Sequence, residues 1–183
     1  MTDTTEKGLE TLIMRHMTGV DGLSSSTGSI VAAPKVSGKG NGWIAGSDAT
    51  YDREFAVDTE QLFAFLIATQ PEEWAKLGIA NFKDKEGMAR QKFLARLQGE
   101  ISRRGTIDVL RTGIKHWPLH FDLFYGKPSA ENVKAVERHA KNRFSITRQL
   151  HFSRENKRWV GLCAFVEGLV VLFFHQRAAS DHL

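Results

Sequence analysis

Cysteine is almost missing from this chain: Cys163 stands alone among 183 residues. A single cysteine excludes an internal disulfide and a CxxC zinc site, and it suits a reducing cytoplasm, the expected location. No charge-free apolar run of about 18 residues occurs, which excludes a membrane-spanning helix, and no membrane partner is expected. The opening MTDTTEKGLE holds acids and no apolar core segment, so no secretory signal is expected. No GxxxxGK[ST] occurs; the nearest string, SGKGNG, lacks the first glycine at the required spacing and has no strand-to-helix context. Internal repeats and coiled-coil heptads are also lacking. Neither sign of charge dominates, since 25 Lys and Arg face 21 Asp and Glu for a net +4. What remains is the size and composition of one globular domain, 42% hydrophobic and 25% charged.

The placement of charge says more than its total. Residues 134–158 carry Lys134, Arg138, Lys141, Arg143, Arg148, Arg154, Lys157 and Arg158 against Glu137 and Glu155 alone. That stretch is net +6, more than the whole chain. Cations interleaved with Phe144, Phe152 and Trp159 fit a surface that tracks a phosphate backbone. A solvated helix face followed by a solvated loop accounts for them equally.

Apolar spacing predicts an amphipathic helix over 6–18, with Leu9, Leu12, Ile13 and His16 in phase and Gly19 as its stop. Seven of the 16 glycines fall within residues 19–47, among serines, which predicts a flexible insertion with a short strand at 29–33. Helices dominate from Asp58 onward. Asp58 and Gln61 have capping-box spacing for a helix over 59–69, and Pro71, Glu72 and Glu73 suit the start of the next. Further helices are expected over 85–104, with Phe93, Leu94, Leu97 and Ile101 buried, over 107–114, and from a cap at Ser129 to about 143. The period then changes to that of strands at 145–152, 159–166 and 169–174. Glu167-Gly168 between the last two reads as a hairpin turn. Such an apolar hairpin needs more sheet beside it.

Three long strings resemble the N-terminal nuclease region of the restriction (R) subunit of type I restriction enzymes. They are YDREFAVDTEQLFAFLIATQPEEW (51–74), RRGTIDVLRTGIKHWPLHFDLFYGKPS (103–129) and NRFSITRQLHFSRENKR (142–158). The resemblance implies an α/β (α+β) restriction-endonuclease-like fold: a mixed central sheet with flanking helices, a helix-rich N-terminal half and a C-terminal β-hairpin. It implies a single domain over 1–183, without the DNA-translocating motor that follows in complete members. ATP would be bound only in that missing motor domain. The family activity is ATP-dependent endonucleolytic cleavage of unmethylated double-stranded DNA, in a complex with modification and specificity subunits.

Phosphodiester hydrolysis of this kind uses a divalent cation, and magnesium takes hard oxygen ligands. The family supplies an Asp on one hairpin strand, a Glu-x-Lys on the next and a Glu on an N-terminal helix. Aligned on FVEGL and Phe174, the Asp position falls on Gly161, the Glu position on His175 and the Lys position on Arg177. The helical Glu corresponds to Glu10, the one metal-ligating residue left. Residues 161 and 175 face each other if the turn takes three residues or two plus a bulge, and cross-strand neighbours lie about 5 Å apart. The frame for magnesium is therefore expected without its ligands: glycine offers no side chain, histidine suits zinc or copper, and arginine repels a cation.

Three readings stay open at this point. The chain is a truncated or decayed product that does not cleave; or the register is shifted, or Glu155, Glu167 or Asp181 substitutes; or it keeps a non-catalytic task in DNA binding or subunit docking. For DNA, the candidate contacts are Arg138, Lys141, Arg143, Arg154, Lys157 and Arg158. His116 and His120 have i, i+4 metal spacing, but Pro118 breaks the helix that would align them, and packing at an interhelical corner is expected instead. Asp48, Asp52, Glu54 and Asp58 do not match a calcium loop and suit turns and caps. Cys163, inside an apolar strand, reads as a small core residue.

Overall fold

The computed structural model describes residues 6–22, 40–81, 83–129, 131–153 and 159–177. Helix α1 (Glu6–Thr18) comes first. The short strands β1 (Ile44–Ala45), β2 (Tyr51–Asp52) and β3 (Val57–Asp58) follow, with a 3₁₀ turn at Asp48–Thr50. Helices α2 (Thr59–Thr69), α3 (Pro71–Leu77), α4 (Met88–Arg104) and α5 (Thr106–Thr112) then lead to a small hairpin, β4 (Ile114–His116) and β5 (Leu119–Phe121). After α6 (Val133–His139) come the long strands β6 (Phe144–His151), β7 (Trp159–Val166) and β8 (Leu169–Arg177).

The architecture is mixed α and β. Among the described residues, six strands form one sheet in the order β1-β6-β7-β8-β3-β2, in which β1 runs parallel to β6 and the other pairs are antiparallel. The apolar runs read as strands at the end of the chain are its centre. Glu167 and Gly168 turn β7 into β8 with φ of 51° and 76°, a two-residue turn with both residues left-handed, which matches the twist of the strands it joins. A register shift at Ala164/Phe165 follows, so the hairpin combines a two-residue turn with a bulge.

Local chemistry explains most element ends. Asp58 accepts from the Gln61 backbone N–H at 3.3 Å and caps α2. The reciprocal half of the expected capping box is not made: the Gln61 side chain instead accepts from Arg143 Nε at 2.9 Å. Pro71 opens α3 with Glu72 and Glu73 in its first turn. The helix expected from Ser129 starts later, because Ser129 closes a turn onto Asn132, whose side chain caps α6 by accepting from Ala135 N at 3.1 Å. The His116–His120 stretch is the β4–β5 hairpin, with a cis Trp117–Pro118 bond, and not an interhelical corner.

Three apolar clusters hold the layers. The largest joins Leu62, Phe63, Phe65 and Leu66 of α2 to Phe93, Leu94 and Leu97 of α4, Val109 and Leu110 of α5, and Phe121 of β5. Tyr51, Leu150, Val160, Cys163 and Phe165 form a second. Met14 of α1 packs with Ile146 and Leu162 in the third. The buried stripe of α1 therefore differs from the expected one. Leu9 and Leu12 are 60% and 55% exposed, while Glu10 and Met14 are buried, because α1 turns its acid toward the sheet. Of the glycine-rich segment, residues 23–39, including the strand expected at 29–33, lie outside the described residues. Its described end is tied in: Asn41 and Trp43 N–H groups donate to α1 carbonyls, and Ile44–Ala45 pairs with β6.

Candidate functional site

Glu10 of α1, which packs on β1 and β6, reaches position 161 of β7, and position 161 pairs across the hairpin with position 175. The pairs Val160↔Gln176 and Leu162↔Phe174 put 161 opposite 175, and Trp159↔Arg177 continues the register. On β6, Arg148 stands opposite Leu162. Its Nε donates to Glu10 Oε2 at 3.0 Å, and its Nη1 donates to Thr11 Oγ1 at 3.0 Å and to the Asp21 carbonyl at 3.3 Å. Both charged groups are withdrawn from water, with side-chain exposures of 4% for Arg148 and 7% for Glu10. The other carboxylate oxygen, Oε1, lies over Gly161: a Cβ on that residue would collide with it.

Glycine at 161 thus has a local reason. Glu10 occupies the space that a side chain there would need, and Arg148 fixes Glu10 in that position. A buried carboxylate must be matched by charge and hydrogen bonds, because desolvation costs several kcal/mol per ion. Here the Arg148 guanidinium supplies both the charge and the hydrogen bond. The residues do not fit magnesium. Gly161 supplies no oxygen ligand, the one carboxylate is already neutralised, and a second cation would be repelled by Arg148. Among the described residues no group of three or more His, Cys, Asp or Glu side chains is close enough to hold a metal.

The substitutes considered from the sequence lie elsewhere or outside the described residues. Glu167 is fully buried at the β7–β8 turn, where its carboxyl accepts from the Arg143 backbone N–H at 3.0–3.1 Å. Burial pushes its pKa up to about 8, against the opposing Arg143 amide bond and charge. Glu155 and Asp181 fall outside the described residues. Asp58 caps α2, and Asp52 accepts from the Glu54 and Phe55 N–H groups of its turn. Beyond the expected turns and caps, Asp52 also holds the buried Arg90 at 2.7 Å and Asp48 accepts from His151 N at 2.7 Å. Cys163 is fully buried, and burial pushes its thiol up to about 12, so it is no nucleophile. His116 packs edge-on against Phe93, and burial foremost, with Arg96, lowers its pKa.

Of the six candidate DNA contacts, three are described. Arg138 is exposed, with its guanidinium 5.6 Å from the centre of the Tyr125 ring. Lys141 Nζ donates to the Ala68 carbonyl at 3.0 Å, and Arg143 to Gln61 as above. Arg154, Lys157 and Arg158 lie outside the described residues. The residue that sequence reasoning passed over is Arg148, counted only as part of the basic run. Its signal was its phase: it lies two residues from Ile146 and opposite Leu162, so it shares the side of β6 on which Met14 of α1 packs.

No family model matches the chain, and neither a curated protein nor a solved structure matches it. No helix among the described residues is long and apolar enough to cross a membrane.

Proposed function

We propose that the chain is a nuclease-like domain of the kind found at the N-terminus of type I restriction R subunits, and that it does not cleave DNA. The observation that carries this reading is the buried Glu10–Arg148 pair closed over Gly161, directly opposite position 175. An Asp at 161 and a Glu at 175 would give magnesium its two strand carboxylates, and Glu10 would approach from α1. Instead the acid at 161 is absent and Glu10 carries an internal counter-ion. In a hydrolytic site, loss of the metal removes both the activated water and the charge that stabilises the transition state. The remaining role is binding to double-stranded DNA or docking on the modification and specificity subunits.

The test is incubation with supercoiled plasmid and magnesium, where no nicking is expected. Magnesium-dependent cleavage by the unaltered chain overturns the reading. A second measurement addresses the frame. Gly161→Asp, His175→Glu and Arg177→Lys together, with Arg148→Met to release Glu10, are expected to create a magnesium-dependent rise in Tm. The same three changes with Arg148 retained are expected to respond more weakly. Equal responses from both, or from the unaltered chain, count against the proposed arrangement.

A further inference from the structure

The C-terminal end of α4 holds a cluster that no part of the nuclease-like reading uses. Glu100 is buried, at 6% side-chain exposure, and three arginines converge on it: Arg96 at 3.0 Å, Arg103 at 2.8 Å and Arg104 at 2.7 Å. Hydrogen bonding from Arg103 foremost holds the Glu100 carboxyl below its ordinary range. Arg104 is locked on all sides, since it also donates to Asp108 at 2.7 Å and to the Gly113 carbonyl at 2.8 Å. Arg96 is anchored by Nε on the Lys115 carbonyl at 3.1 Å, which ties α4 to β4. Between these elements lies a cavity of about 310 Å³, walled by Arg96, Arg103, Arg104, Lys115 and His120, with Glu100 as its carboxylate.

The charge does not balance. Four cations, Arg96, Arg103, Arg104 and Lys115, line the cavity against the one carboxylate of Glu100; with Asp108 on Arg104 and Asp122 on His120 counted as well, an excess of one remains even with His120 neutral. Ordinary i, i+4 pairing on a helix needs one arginine for Glu100. Proximity to the negative end of the α4 dipole favours cations, but only weakly at an exposed site. Converging three guanidiniums costs mutual repulsion unless an anion offsets it. Each guanidinium carries five N–H donors in a rigid fork. Arg96 and Arg103, at 50% and 69% exposure, present donors beyond those spent on Glu100. Glu100 orients the forks in advance, so little side-chain entropy is lost when an anion arrives.

We infer that this cavity is a binding site for a phosphate group. A tetrahedral anion with several acceptor oxygens matches converging guanidinium forks, with Lys115 as an added point charge. The phosphate could belong to a free small molecule or to a nucleic-acid backbone, and the chemistry at the cavity is the same. The test titrates inorganic phosphate into the full chain at constant ionic strength, with chloride as the control anion, and reads Tm and heat. Arg96→Gln with Arg103→Gln removes two forks and leaves the Arg104–Glu100 pair. Phosphate affinity is expected to fall at least about tenfold, as for loss of a charge-assisted hydrogen bond. Lys115→Gln, on an exposed side chain, provides a smaller loss in a chain that keeps the whole arginine cluster. No stabilisation of the unaltered chain by phosphate beyond chloride overturns the inference, as does an equal response in the double variant. A short duplex that displaces phosphate, and binds the double variant more weakly, assigns the site to nucleic-acid backbone. Retained duplex affinity with lost phosphate binding assigns it to a free phosphate.

Discussion

Arg148 and Glu10 illustrate how one residue pair sets the chemistry of a site. Removing one partner leaves the other charged and buried, which costs about 3–5 kcal/mol. Glu10→Leu and Arg148→Met, made singly, are each expected to lower unfolding stability by about that amount. Made together they are expected to cost less than either alone, because a well-packed apolar pair replaces a buried ionic one with little loss. Urea denaturation of the four chains measures this, and additive losses would show that the pair is not coupled. Glu167 gives a pH dependence with a definite sign. The unfolded carboxyl loses its proton near 4.5 and the folded one near 8, so the folded state binds more protons between those values. Stability from this group is full below about 4.5, declines as pH rises toward 8, and is flat above it. Asp58, raised by burial from 3.8 to about 6, adds a decline in the same direction over its own window. Glu167→Gln is therefore expected to be more stable than the unaltered chain at pH 8 and to lose less on going from pH 5 to 8. A pH profile of that variant parallel to the original would refute the assignment. Neither role was visible from residue type alone: Glu167 read as a turn residue and Arg148 as surface charge, because burial depends on which strand lies next door.

At the scale of elements, the sequence was most legible where a single face decides the outcome. The β7–β8 hairpin, the α2 cap at Asp58 and the buried stripe of α4 at Phe93, Leu94 and Leu97 all follow from period and cap chemistry. Legibility failed where tertiary contacts override the local pattern. On α1, Leu9 and Leu12 looked like core, but the inward stripe passes through Glu10, whose partner is 138 residues away. The β4–β5 hairpin escaped notice because strands of three residues show no period. The turn at Gly168 carries the clearest element-level consequence. With φ of 76° it occupies the left-handed region, and a Cβ there would collide with the Asp58 carbonyl and come within 2.9 Å of Leu62 N. Gly168→Ala is expected to cost about 1–3 kcal/mol, from backbone strain and from pushing the α2 start away from the turn. Thermal unfolding checks it. A loss no greater than that of Gly126→Ala, where a Cβ meets nothing within 4 Å, would show that the turn tolerates a side chain.

The scale of the whole molecule decides whether the basic run is a binding surface. Three of its described members are anchored on neutral groups, Arg138 on the Tyr125 ring, Lys141 on the Ala68 carbonyl and Arg143 on the Gln61 amide, whereas Arg148 is spent on Glu10. Such contacts fix a side chain without cancelling its charge. Glu167, whose carboxyl accepts from the Arg143 backbone N–H, is pushed by burial up to about 8 and so offsets little of that charge at neutral pH. The charge that the sequence concentrates between residues 134 and 158 therefore survives folding at these three positions. A chain of net +4 with that charge gathered in one stretch is expected to bind duplex DNA weakly and without sequence preference. Its logarithmic affinity should fall with the logarithm of salt concentration by about 0.9 per phosphate contacted. Arg138→Ala with Lys141→Ala removes two exposed cations and should reduce the slope by up to about 1.8 together with the affinity. Arg154→Ala, Lys157→Ala and Arg158→Ala test the other half of the run in the same way. Fluorescence anisotropy of a labelled duplex over a salt series reads both quantities. Affinity that does not change with salt, or a slope unaltered in both sets of variants, would place the DNA contact elsewhere and leave the run as a solvated face.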